Sequence, residues 1–326
     1  MEISILTSRE LTAKQWESYT QSFNFVFNKN FAPENFTHKY LNTCDQTSYH
    51  ALLVEKDEVV GGCSVIPYHY LFEAEKNKIG LAVDVFILPS YRSDPYTLLR
   101  MYQSLKSRLK EENIAMVIAV PNDLVYPYWK NIVKWKDIGA IPYFAYPVNL
   151  ANVLKSGCKI LNVLSRAFAT LNFGLNTLIS FLFNSVQKPF PISVDRADPV
   201  IEEQRYTADH VIIKNDRHAF AYRIVEENQV QTAYLIDFYN QKNHLKDLKT
   251  LLFAIRHVLK HHQIDLLIFV GKLHFFQSLL IKIPYKKEPK HLYLMGDIFN
   301  PADIINNFDV FDYKNWDFGL FNYDVR

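Results

Sequence analysis

Two stretches of the chain run through the same succession of patterns, and that repetition restricts the fold more than any single motif. "ALLVEKDEVVGGCSVI" (51–66) reads as a strand, a charged turn at Lys56-Asp57 and a second strand. "HVIIKNDRHAFAYRIV" (210–225) reads the same way. Residues 80–120 then give a strand with an aspartate, a connection, an amphipathic helix and a short apolar strand. Residues 232–271 repeat that order, so Asp84 and Asp237 hold corresponding places. A strand–helix–strand unit used twice predicts an α/β chain with a mixed sheet in each half.

Helix and strand signals are clear within the first copy. "DPYTLLRMYQSLKSRLKEEN" puts Leu98, Tyr102, Leu105 and Leu109 on one helical face. "AMVIAV" is short and continuously apolar, as a buried strand is. Pro33 suits the first turn of a helix over "PENFTHKYLNT". At 326 residues, two domains are expected. "QKPFPISVDRADPV", with three prolines, reads as a linker. The expected division is 1–150, a helical connector and linker over 151–205, and 206–326.

Composition narrows the function class. Hydrophobic residues make up 49% and charged residues 21%, enough for a large core. A net charge of +2 supplies no global field for nucleic acid, so no nucleic-acid partner is expected. Cys44, Cys63 and Cys158 lie far apart and form no CxxC pair, so neither a metal site nor a disulfide framework is expected. "MEISILTSRE" has no signal-peptide pattern, which points to the cytoplasm.

One segment tests the soluble reading. Residues 167–186 carry no charge, but Asn172, Asn176 and Asn184 interrupt them. Leu164, Phe168, Leu171, Leu175, Leu178 and Leu182 recur at three- and four-residue steps. The expectation is a buried or interdomain helix, with membrane-surface contact by 160–186 as the alternative and no transmembrane span.

"DVFILPSYRSDPYTLLR" (84–100) runs from an apolar strand through an arginine-containing loop into a helix. "VIAVPNDLVYPYWK" follows it. In this order the chain resembles the GNAT (GCN-related N-acetyltransferase-like) superfamily, in a tandem-domain form similar to proteins of bacterial polysaccharide gene clusters. The "IGAIPY" segment and the Trp-containing "NWDFGLFNYDVR" add to the likeness. The resemblance implies two GNAT-like domains and an acyl-CoA-dependent N-acyltransferase, with acetyl-CoA as co-substrate. It implies a small amine acceptor, such as an amino sugar in surface-polysaccharide synthesis. It also implies a gap between two splayed strands that admits the donor's pantetheine arm, and a loop whose amides bind its pyrophosphate.

Carried onto this chain, the resemblance puts Val85, Phe86 and Ile87 beside the thioester. It puts Arg92, Ser93, Tyr96 and Thr97 around the pyrophosphate, and Asn122 at the pantetheine gap. The loop departs from the family pattern: Pro95 and Thr97 stand at the two small-residue positions, where glycine would permit close approach. Pro95 removes one amide donor. Ser93 is a candidate helix cap. Arg92 either contacts phosphate or is a solvated loop arginine. Asp84 either accepts the amine proton or is a hydrogen-bonded strand aspartate. Tyr126 and Tyr128 either protonate the leaving thiolate or pack. Asn122 either lines the gap or caps a turn.

No GxGxxG, GxxxxGK[ST] or GxSxG occurs, which excludes the usual Rossmann, P-loop and hydrolase signatures. "RHVLKHH" spaces His257 and His261 four apart, but Val258 stands where a zinc-protease helix needs glutamate, so no metal is expected. Two other classes remain: a non-catalytic protein that keeps the fold, and a transferase that takes aminoacyl-tRNA.

Overall fold

The structure is a computed structural model that describes residues 1–182, 189–273, 279–299 and 308–323. The chain forms two compact units from interleaved segments. Met1–Ala140, Pro191–Arg205 and Leu292–Asn315 make the first; Ile141–Phe190, Tyr206–His291 and Trp316–Arg326 make the second.

The first unit contains β1 (Glu2–Thr7), α1 (Ala13–Phe27), α2 (Pro33–Leu41), β2 (Tyr49–Glu55), β3 (Glu58–Phe72) and β4 (Glu75–Ile87). It continues with α3 (Thr97–Glu111), β5 (Met116–Ala119), α4 (Tyr126–Tyr128) and β6 (Lys136–Ala140). The second unit begins with β7 (Tyr143–Pro147), α5 (Leu150–Val153) and α6 (Ile160–Leu182). The first regains β8 (Ile192–Val194) and α7 (Val200–Arg205). The second resumes with β9 (Val211–Lys214), β10 (His218–Glu227), β11 (Val230–Asn240), α8 (Leu248–His261), β12 (Leu266–Val270) and β13 (Ile281–Lys282). Then β14 (Tyr293–Ile298) returns to the first unit and β15 (Trp316–Asp317) to the second.

The sheet of the first unit runs β1-β2-β3-β4-β5-β14-β6, with β8 also paired to β3. Its pairs are antiparallel except β4–β5. The β2–β3 turn holds Lys56 and Asp57 at φ 50° and 65°, the left-handed pair that a tight hairpin needs. On one face, α3 buries Leu98, Met101, Tyr102, Leu105 and Leu109 against Ala51, Val65 and Val117. Such side chains contribute roughly 2 kcal/mol each. On the other face lie α1 and α2. Thr12 caps α1 in a reciprocal box with Gln15, and Pro33 opens α2.

The expected division into 1–150, 151–205 and 206–326 differs from this one. Residues 292–315 belong with the first unit because β14 is hydrogen-bonded between β5 and β6. Residues 141–150 belong with the second because β7 pairs with β12.

The sheet of the second unit runs β13-β7-β12-β11-β10-β9. Asp247 caps α8 by accepting from the Thr250 amide, and α8 buries Leu248, Leu251, Ile255 and Val258. The repeat seen in the sequence is present in the strands. Each unit has a long antiparallel hairpin, β3–β4 or β10–β11, whose second strand pairs in parallel with the strand after the helix. Each hairpin slips register once, between Gly62 and Ser64 and between Ala221 and Tyr222.

The expected burial of the 160–182 leucine face is reversed. Ser165, Ala169, Asn176 and Ser180 are the buried residues of α6, while Leu164, Phe168, Leu171, Leu175 and Leu178 are exposed. Small inward residues bring the helix backbone close. The Tyr146 hydroxyl donates to the Ala169 carbonyl (2.7 Å), and the Asn172 side chain to the Leu279 carbonyl (2.7 Å). Residues 183–186 of the expected segment lie outside the described residues, as do the last three residues of the chain. Among the described residues, no helix is long and apolar enough to cross a membrane.

Candidate active site

Strands β4 and β5 part company in the middle of the first unit. Their parallel ladder covers only Ile79–Leu81 with Met116–Ile118, yet β4 continues to Ile87. The edge of β4 beyond Leu81 therefore makes no ladder with β5. In the same stretch the β3–β4 register slips, and Asp84 takes φ 49°. This is a β-bulge, which re-aims side chains. Ala82, Val85 and Ile87 pack in the core on the α3 side, whereas Phe86 stacks edge-on to Tyr19 of α1 (5.1 Å). The Asp84 carboxylate meets α2.

Two consecutive residues of α2 hold that carboxylate. Lys39 Nζ lies 2.8 Å from Asp84 Oδ2, with side-chain exposures of 5% and 9%. The Tyr40 hydroxyl donates to the same Oδ2. Oδ1 is engaged by neither. Behind Tyr40, contacts continue to Tyr19 (Oη···Oη 2.9 Å), Ser64 (3.1 Å), His50 Nδ1 (2.9 Å), and from His50 Nε2 to Ser8 (2.7 Å). All these side chains are buried.

Each hydroxyl has one proton, and that fixes the direction of the chain. The proton of Tyr40 goes to Asp84, so Tyr19 donates to Tyr40, Ser64 to Tyr19, and His50 Nδ1–H to Ser64. Nε2 of His50 then accepts from Ser8. Burial pushes His50 down to about 3, so the ring is neutral, as this pattern requires. Burial, then the Asp84 charge, pushes the phenols of Tyr19 and Tyr40 well above their usual range, so both keep their protons. Gly62 makes room: a Cβ there would sit 2.8 Å from Phe86 Cε1 and 2.9 Å from Tyr19 Cε2.

The Arg92 loop is closed by its own residues. Pro89–Tyr91 form a 3-10 turn, and Arg92 Nε donates to the Ile87 carbonyl (2.7 Å). The helix begins at Thr97, and Ser93 does not cap it. Asp94 stands at its start: Oδ1 accepts from the Tyr96 amide (2.8 Å), its carbonyl accepts from the Thr97 amide (3.2 Å), and Oδ2 pairs with Arg100 (2.5 Å). The Tyr96 amide, then Arg100, holds the Asp94 carboxyl below its usual range. The Tyr128 hydroxyl donates to the Pro95 carbonyl.

No family model matches the chain, and no curated protein does. Solved structures do. A GCN5-related N-acetyltransferase from Anabaena variabilis ATCC 29413 is similar at a TM-score of 0.57 and 13% identity, over 92% of this chain and 74% of that one. One from Kribbella flavida is similar at 0.57 and 10%, over 91% and 72%. Saccharomyces cerevisiae N-myristoyltransferase with bound myristoyl-CoA is similar at 0.52 and 11%, over 90% and 82%. The chain has the GNAT fold.

On this GNAT framework the residues expected from the sequence fall into three places. Asp84 stands at the strand gap, with the backbone of Val85, Phe86 and Ile87 along the unpaired edge of β4. Arg92, Ser93, Tyr96, Thr97 and Tyr128 gather at the start of α3. Asn122 and Tyr126 lie apart from both. The Asn122 side chain accepts from the Leu124 (3.1 Å) and Val125 (3.0 Å) amides, which makes it a turn cap. The Tyr126 hydroxyl donates to Asp137 (2.9 Å) and its ring stacks on Tyr293 (4.4 Å). Lys39, Tyr40, Tyr19, His50 and Ser64 were not expected. Only the neighbouring pair Lys39-Tyr40 carries a local signal, a cation and a phenol on one short helix.

Proposed function

We propose that the first unit transfers an acyl group from a CoA thioester to the nitrogen of a small amine, such as the acetyl group of acetyl-CoA to an amino sugar. The parting of β4 and β5 beside the Asp84 bulge carries this reading. An extended donor arm with amides of its own fits the unladdered edge of β4. Asp84 Oδ1, which neither Lys39 nor Tyr40 engages, takes the proton of the attacking amine. The C–N bond forms, the C–S bond breaks, and the thiolate takes a proton. We assign that proton to Tyr128, whose hydroxyl must turn from the Pro95 carbonyl to give it, since the Tyr126 hydroxyl is held by both Asp137 and Lys130. Burial raises the Tyr128 phenol, so it is protonated at neutral pH.

The groove between α1 and α2 suits the acceptor. It has a volume of about 540 Å³, and Glu17 and Glu34 line it with negative charge, which favours an ammonium. Trp16 lines it too and stacks on Tyr40 (5.9 Å).

The loop fits the donor less well. Asp94 occupies the Tyr96 amide, and Pro95 offers no donor. Arg92 is the loop's own cation, with its Nε on the Ile87 carbonyl, and Arg100 is already paired with Asp94. This favours a second reading, a GNAT-fold binding protein that does not take CoA. Calorimetry and thermal shift with acetyl-CoA decide between them. Heat and stabilisation are expected for the transferase; saturating acetyl-CoA that gives neither overturns that reading and favours the second.

A further inference from the structure

Helix α6 of the second unit turns its apolar face outward. Phe168, Leu171, Leu175, Leu178, Phe181 and Leu182 are between 48% and 85% exposed, whereas the buried face is Ser165, Ala169, Asn176 and Ser180. The exposed residues repeat at three- and four-residue steps, so they form one continuous stripe along the helix. A contiguous apolar patch of this kind marks an interaction surface.

The surrounding charge selects the partner. No Asp or Glu occurs between Asp137 and Asp195. Lys155, Lys159 and Arg166, at the start of the helix and just before it, are exposed. A second copy of this face would offer these cations no anion, since no Asp or Glu lies on α6 or beside it in the chain. A surface of anionic lipid headgroups complements them, and the stripe suits the boundary between headgroups and acyl chains. At 23 residues α6 is long enough to span, but it is not apolar enough to do so. We propose that α6 lies in the plane of an anionic membrane surface, with its Leu/Phe stripe immersed and Lys155 and Lys159, just before the helix, on lipid phosphates. This surface belongs to the second unit and does not depend on the acyl-transfer reading.

Sedimentation of the full chain with vesicles tests the proposal. The wild type is expected to bind phosphatidylcholine vesicles containing phosphatidylglycerol, and to bind pure phosphatidylcholine at least about tenfold more weakly. Leu171→Glu/Leu175→Glu is expected to abolish binding, and Lys155→Glu/Lys159→Glu to weaken it about tenfold. Because these side chains are exposed, thermal denaturation of both variants should match the wild type. The proposal is overturned if the wild type stays in solution with anionic vesicles, or if the double-leucine variant sediments as the wild type does. It is also overturned if light scattering shows a wild-type dimer that this variant dissolves, since a second copy would then cover the face.

Discussion

Lys39 Nζ and Asp84 Oδ2 meet at 2.8 Å between a helix and a bulged strand, with almost no solvent at either group. Removing one member of a buried ion pair leaves the other charge without its partner, which costs roughly 3–5 kcal/mol. Lys39→Met should therefore destabilise the protein by that order in urea unfolding. Lys39→Met/Asp84→Leu should recover most of the loss. Equal stability for the single variant and the wild type would show that the pair is not closed in solution.

Asp84 also separates binding from turnover. Asp84→Asn keeps the shape but cannot take a proton, and it leaves Lys39 without its charge partner; assayed below its lowered unfolding temperature, it should still bind the donor while turnover falls about 100-fold or more. Calorimetry and an acyl-transfer assay on the same variant measure the two effects. Unchanged turnover would remove Asp84 as proton acceptor.

His50 makes stability depend on acid. Burial pushes its pKa down to about 3 when folded, against an ordinary 6.5, and it sits neutral between Ser8 and Ser64. The unfolded chain therefore binds the proton more readily. This contribution is complete above pH 6.5 and falls as pH drops from there toward 3. At pH 5 the loss is about 2 kcal/mol. His50→Gln should flatten that part of the stability–pH curve. Nitrogen NMR of the wild type should show the proton on Nδ1 at neutral pH.

Asp94 competes with any anion for the start of α3. Asp94→Asn removes a charge beside the Tyr96 amide and frees Arg100 from its partner. The variant should bind CoA severalfold more tightly than the wild type, by analogy with the modest energies of charges at helix ends. Calorimetry with CoA reads this directly, and weaker binding would mean that Asp94 orders the loop for the donor.

Gly62 is held to its size by Phe86 and Tyr19. Gly62→Ala should cost roughly 1–3 kcal/mol, as overpacking does. Displacing Tyr19 would also break the hydrogen-bond chain to Asp84.

The sequence makes local periodicity visible and distant pairing hard to see. The Lys56-Asp57 turn, the Leu98–Leu109 face of α3 and the apolar strand at 116–119 each follow from neighbours a few residues apart. The bulge at Asp84 does not, since it depends on how β3 and β4 align. The Ser8–His50–Ser64–Tyr19–Tyr40 chain joins five elements or their margins, and no spacing links them. The stripe on α6 was readable as a stripe. Its outward direction was not, because periodicity gives the face of a helix and not what the face meets.

Strand β14 sets an order on how this protein can be made. Among the described residues, β6 has β14 as its strand partner, and β14 begins at Tyr293. A ribosome that has delivered residues 1–140 has therefore delivered an unfinished sheet. The gap at Asp84 acquires its far wall, β5 backed by β14, only after nearly the whole chain has emerged. Such late, long-range closure slows folding and leaves the edge of β5 open to wrong partners meanwhile. The first unit is thus the one that begins first and finishes late.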